Sequence, residues 1–244
     1  MAPPEPSVYD LAYRGKTQAV KILINENSQL KTDVDSNGRM LIHWAALGGH
    51  DELVAYLISL GLPTDPIDDV SINLKAYYSS IDHTKMTPLI LAASGGRDKV
   101  VNLLLNQGAD VNAKTTDGHS ALQYAASKNW KSICASLLEK DADINITDNL
   151  GSTPLHRSAS KGNLAIVKLL LEHGKLLKID QRDAYGNTAL HLACEEDRQE
   201  EAKLLVANGG SIEITNKERK TPLDLCNLIL ARQLKEISDK KLAI

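Results

Sequence analysis

The stretch GSTPLHRSASKGNLAIVKLLLEHG, residues 151–174, decides the fold. Thr153 offers a hydroxyl to cap a helix, and Pro154 suits the first helical position, where its missing N–H is no loss and its fixed φ is already helical. A short helix therefore opens here. Gly162-Asn163 interrupts it, and a second helix runs from about Leu164 with Ile166, Val167, Leu169 and Leu170 along one face, closed by Gly174 in the left-handed conformation. The stretch predicts a helix-turn-helix pair.

The same phrase recurs along the chain. The position of Thr153 is repeated at Met40, Thr87, Ser120, Thr188 and Thr221, with separations of 47, 33, 33, 35 and 33 residues, which is a period of 33 with one insertion of 14 and one of 2. MLIHWAALGGH follows at 40, TPLILAASGGR at 87, SALQYAASKNW at 120, TALHLACEEDR at 188 and a truncated TPLDLC at 221, while DLAYRGK at 10 is a more degraded copy. Seven repeats are predicted, at about 6–35, 36–82 with the insertion at 70–83, 83–115, 116–148, 149–183, 184–216 and 217–244, together forming one elongated domain over 1–244.

Composition narrows the function classes. The 244 residues are 43% hydrophobic and 24% charged with a net charge of −3, and the pI is near 6.2, which predicts no bulk affinity for nucleic acid or membranes. No run approaches the roughly 18 apolar residues of a membrane span, and MAPPEPSVYD lacks the regions of a secretion signal. A cytoplasmic and nuclear location is the expectation. Cys134, Cys194 and Cys226 form an odd set, read as free thiols, two of them at small-residue slots of the repeat.

One repeat cannot fold alone. Ordering its backbone costs roughly 1–2 kcal/mol per residue, whereas about four large aliphatic side chains return only roughly 1.5–3 kcal/mol apiece. Neighbours must cover one another. The small pairs Ala45-Ala46, Ala92-Ala93, Ala125-Ala126 and Ala193-Cys194 let adjacent helix pairs approach closely and build a continuous core.

T-P-L-H-x-A-A near the start and Gly108-Ala-Asp-Val-Asn112 near the close, recurring in phase, resemble the ankyrin repeat. The resemblance implies an all-α solenoid of about seven helix-turn-helix units whose closing segments project as turns or β-hairpins. It also implies that hairpin tips and first-helix ends line a concave face on which partners bind. In phase, that face receives Asp35 and Arg39, Asp148, Asp183 and Tyr185 from the tips, and Gly48, Gly95, Lys128, Lys161 and Glu196 from the helix ends, with Tyr124 and Arg157 bordering the same groove. The floor thus runs from small to basic to acidic, which suits a partner with segregated charge. Many tip aspartates would instead cap their own turns.

Catalysis needs convergent chemistry, and the sequence carries no C-x-x-C, Walker loop or nucleophile elbow. His43, His156 and His191 share one slot of the repeat and lack metal-ligand spacing, so they are read as ties to loop backbone. No enzyme, metal or cofactor is expected.

A closer resemblance rests on GRMLIHWAALGGHDELVAYLISLG (38–61), LAASGGRDKVVNLLLNQGADVNA (91–113), YAASKNW (124–130), HRSASKGNL (156–164) and the non-consensus GNTALHLACEEDRQEEAKLLVANGGSIEITNKERKTPL (186–223). These segments are similar to the gankyrin family of proteasome regulatory-particle subunits. The resemblance implies a non-catalytic assembly chaperone, monomeric when unbound, that holds the C-terminal domain of a base ATPase subunit on its concave face. It implies a binding set of basic Arg39, Lys128 and Lys161 with acidic Asp35, Asp68, Asp69, Asp183 and Glu196, and Trp44 as an aromatic anchor beside Arg39. Leu192, Cys194 and Glu196 satisfy L-x-C-x-E, a motif linking such proteins to the retinoblastoma protein, although the repeat phase turns Leu192 and Cys194 toward the core. The alternative is an adaptor regulating a cyclin-dependent kinase or a retinoblastoma-type partner. The 70–83 insertion is read as a surface loop, with Tyr77 and Tyr78 as possible contacts, and the tail from Gln233 as a helix extension or frayed end.

Overall fold

A computed structural model of the chain describes residues 6–62, 64–65, 84–173 and 176–242. Helices come in pairs, one pair per repeat: α1 (Val8–Tyr13) and α2 (Thr17–Glu26), α3 (Leu41–Gly48) and α4 (Asp51–Ser59), α5 (Pro88–Ser94) and α6 (Asp98–Asn106), α7 (Ala121–Ser127) and α8 (Lys131–Glu139). The series continues with α9 (Pro154–Lys161) and α10 (Leu164–Glu172), α11 (Ala189–Glu195) and α12 (Gln199–Ala207), and α13 (Pro222–Leu225) and α14 (Leu228–Leu242). Among the described residues there are helices and turns but no strands; Lys114 and Ser120 form an isolated antiparallel bridge. The projecting segments are turns.

The caps follow the sequence. Thr87, Thr153 and Thr188 each accept the backbone N–H three residues on, and Pro88, Pro154 and Pro222 open their helices. The ninth residue after five of the six threonine positions turns the corner between paired helices with positive φ: Gly49, Gly96 and Gly162 do so freely, and Asn129 and Asp197 take the same conformation. Glycine and asparagine tolerate that conformation best, which is why the corners read as breaks.

The chain divides into two compact units, residues 1–121 with 139–141, and 122–138 with 142–244. In the first unit α3 lies between α1 and α5, and α4 packs on α6; Ala45, Ala46, Ala92 and Ala93 are fully buried together with Leu41, Leu53, Leu57 and Leu104. In the second, α11 lies between α9 and α13 and α12 between α10 and α14. Ile166, Val167, Leu170, Ala193 and Leu205 are buried there. The alanines let first helices pack closely, and the aliphatic faces of the second helices seal the back. Glu201 is buried at the slot that Leu53, Val100, Ile133 and Ile166 fill in other repeats. From Gln233 the described tail continues in α14 to Leu242, and the buried Leu230 and Leu234 hold this helix down.

Candidate protein-docking face

Four of the described tips are each built around one side-chain oxygen. Asp35 accepts the N–H of Asn37 at 2.8 Å and of Arg39 at 2.9 Å; Asp148 accepts those of Leu150 and Ser152, each at 2.9 Å; Asp183 accepts those of Tyr185 at 2.9 Å and Asn187 at 2.8 Å. Asn216 does the same for Glu218 and Lys220. A carboxylate or amide here replaces the backbone carbonyl of an ordinary turn. These aspartates therefore shape the tips on which the neighbouring side chains are displayed.

Two tips carry a further brace from the helix that follows. Trp44 on α3 donates its indole N–H to Asp35 at 3.0 Å, and Arg39 lies over the Trp44 ring, 5.3 Å from its centroid. Tyr13 meets that ring edge-on at 6.0 Å. On α9 the guanidinium of Arg157 pairs with Asp148, whose side chain is only 1% exposed. The structure thus brings together Asp35, Arg39 and Trp44 as one cluster, and Asp148 with Arg157 as another. Tyr185 stands exposed at its tip.

The histidines tie repeats together. In His156 and His191, Nδ1 accepts from the N–H of Thr153 and Thr188, so Nε2 carries the proton and donates to the carbonyl of Asn187 at 3.0 Å and of Lys220 at 3.1 Å. Burial is the main cause that pushes the pKa of each below the ordinary histidine value. Neutral imidazole fits this role, because only that form can accept on one nitrogen while donating from the other. Gln123 occupies the same slot and donates to Ser152 at 2.6 Å. In His43, Nδ1 accepts the N–H of Met40 at 3.1 Å. Among the described residues no group of three or more potential ligands could hold a metal ion.

A second set of ties recurs ten residues after the threonine position. His50 bonds the carbonyl of Tyr13 at 2.7 Å and Arg97 donates to that of Leu47 at 2.9 Å; Asn163 donates to those of Ala126 and Ser127, and Arg198 to that of Ser160. Each side chain satisfies the orphan carbonyls at the end of the preceding repeat's first helix. Residue type varies, so no consensus letter marks the slot.

Lys128, Lys161 and Glu196 stand exposed at first-helix ends, while Tyr124 is half-buried. Glu196 lies 3.9 Å from Arg198. Asp68, Asp69, Tyr77, Tyr78 and the 70–83 insertion lie outside the described residues, as does Gly174. Leu192 and Cys194 sit on α11, with Cys194 1% exposed, so displaying L-x-C-x-E in extended form requires α11 to unwind. All three cysteines are free thiols. Burial pushes the Cys134 thiol up to about 12 and raises those of Cys194 and Cys226, which makes thiolate chemistry unfavourable at Cys134 and Cys194.

Paired helices with projecting turns, stitched by side chains that recur in register, define a repeat scaffold of the kind that binds proteins and is typically non-catalytic. Ankyrin repeats (3 copies) match residues 9–115, 70–148, 113–183 and 133–218, and the chain belongs to the ankyrin-repeat family. It is 43% identical over 62 residues, 25% of this chain, to the human 26S proteasome non-ATPase regulatory subunit 10, and the matched region spans only 27% of that protein's length. Over 150 residues, 61% of this chain and 18% of the relative, it is 31% identical to the potassium channel AKT2/3 of Arabidopsis thaliana. The crystal structure of the human ASB11 ankyrin repeat domain matches with a TM-score of 0.80 at 24% identity, covering 96% of this chain and 98% of that one. The ankyrin repeat domain of Bcl-3, a member of the IkappaB family, matches with a TM-score of 0.76 at 23% identity over 96% of this chain and 97% of that one. These two structures establish the fold.

Proposed function

We propose that the protein is an assembly chaperone of the 26S proteasome regulatory particle, monomeric when unbound and cytoplasmic and nuclear, that binds the C-terminal domain of a base ATPase subunit. The observation that carries this reading is the 43% identity to proteasome non-ATPase regulatory subunit 10 over 62 residues. Partner contacts fall on Arg39, Lys128, Lys161, Tyr185 and Glu196, with Trp44 holding Arg39 in place through its ring. Exposed lysines at matching helix ends provide charge-assisted bonds to partner carboxylates, and Asp148 and Arg157 stay paired to keep their tip rigid.

Affinity purification of the tagged chain from cells, followed by mass identification, tests this. Base ATPase subunits without core-particle subunits are the expected partners; retinoblastoma-type proteins or kinases in their absence would overturn the reading. Reversing Arg39 and Lys128 to Glu should lower recovery of the ATPase at least tenfold, in line with the loss of charge-assisted contacts.

A further inference from the structure

The corners between paired helices in the second unit form a graded strip. Three side-chain ties stitch them in order: Asn163 to Ala126 at 2.7 Å and Ser127 at 3.1 Å, Arg198 to Ser160 at 3.2 Å, and Asn227 to Asp197 at 3.1 Å. Lys128 stands exposed at the first corner, Lys161 at the second, and Glu195, Glu196 and Asp197 at the third. At the fourth, Leu228 and Ile229 are 78% and 71% exposed. They belong to the first turn of α14, where Asn227 caps the helix by accepting the N–H groups of Ile229 and Leu230. An apolar pair is thereby held in water by a rigid cap, next to an acidic corner. Arg198 donates its Nε N–H to the Ser160 carbonyl and holds its guanidinium 3.9 Å from Glu196, so it offsets one of the three carboxylates and the corner stays net acidic.

We infer that this strip is a directional docking site for one amphipathic helix of a partner protein, whose acidic end lies over Lys128 and Lys161, basic middle over Glu195–Asp197, and apolar end on Leu228 and Ile229. The inference rests on reading the repeat face as a protein-docking face and adds the partner's direction and chemistry. Neighbouring helices pack about 8–10 Å apart, and a helix rises about 1.5 Å per residue, so successive corners match partner residues about five to seven apart. The upper end of that range, about seven residues, is close to two turns and is the step that keeps the contacts on one helix face. Charge order fixes the direction, because the reversed helix puts like charges together and leaves the apolar pair facing a charged end. A second copy fits poorly: antiparallel self-pairing sets lysine against leucine at both ends. Three adjacent carboxylates disfavour nucleic acid.

The test uses the full chain and two fluorescent helical peptides of one composition, one ordered acidic, basic, apolar and the other reversed, followed by anisotropy at low salt. The forward peptide should bind at least tenfold more tightly. L228S/I229S should lower its affinity about tenfold without changing the salt dependence, and K128E/K161E should lower it similarly and be rescued by a peptide with Lys in place of its acids. Unaltered circular-dichroism melting establishes that both variants fold. Equal affinity for the two orders, no binding of either, or dimers that vanish in L228S/I229S would each overturn the proposal. ATPase recovery that is indifferent to L228S/I229S removes the strip and leaves the assembly reading standing; order-dependent peptide binding in a chain that recovers no ATPase does the reverse.

Discussion

The tip leading into α3 and the tip leading into α9 are the same turn, held by different donors. Asp35 takes a neutral indole N–H from Trp44 and remains half-buried, whereas Asp148 is almost wholly enclosed and takes a guanidinium from Arg157. Asp183 makes the turn where the corresponding helix residue is Leu192, which has no donor to give. The turn therefore depends on its own side-chain oxygen, and the helix donor is an addition whose worth scales with how much water the carboxylate has lost.

That contrast can be broken most sharply at Arg157. Arg157→Ala leaves the Asp148 carboxylate enclosed without its cation; breaking such a pair costs several kcal/mol when fully buried, and the part-exposed guanidinium reduces this to about 2–3 kcal/mol. Urea unfolding should show that loss, and a change under about 0.5 kcal/mol would mean water already serves the carboxylate. Trp44→Phe keeps a smaller aromatic ring under Arg39 and removes the indole N–H with part of the ring surface. One hydrogen bond from a neutral donor to a half-buried carboxylate predicts a loss of about 1.5 kcal/mol in the same assay; a loss equal to that at Arg157 would erase the distinction between the two tips. The smallest effect belongs to Asp183→Asn, since an amide oxygen accepts the same two N–H groups, as Asn216 already does. Stability should change by less than about 0.5 kcal/mol, and a larger drop would show that the charge itself serves the turn.

Much of this was legible in the sequence because its cause is local. Thr-Pro steps cap helices wherever they fall, glycine and asparagine mark corners that need positive φ, and the alanine pairs announce close helix packing. The histidines of the T-P-L-H step could be assigned to backbone ties for the same reason. The ten-residue ties were not legible: His50, Arg97, Asn163 and Arg198 share a destination and no chemistry beyond an N–H that reaches it. Arg157 gave no sign of its pairing with Asp148, because the two meet only after the tip folds back on the helix.

The sequence by itself determined that this chain repeats, where each helix begins and which faces are apolar, since period, capping and hydrophobic pattern act over a few residues at a time. Only the tertiary structure decided which charges are displayed and which are occupied. Lys128 and Lys161 stand in water while Asp148 is enclosed, and Leu228 and Ile229 are exposed while Leu230 and Leu234 are buried. A side chain's burial is set by neighbours that arrive from other repeats, and no local pattern encodes that.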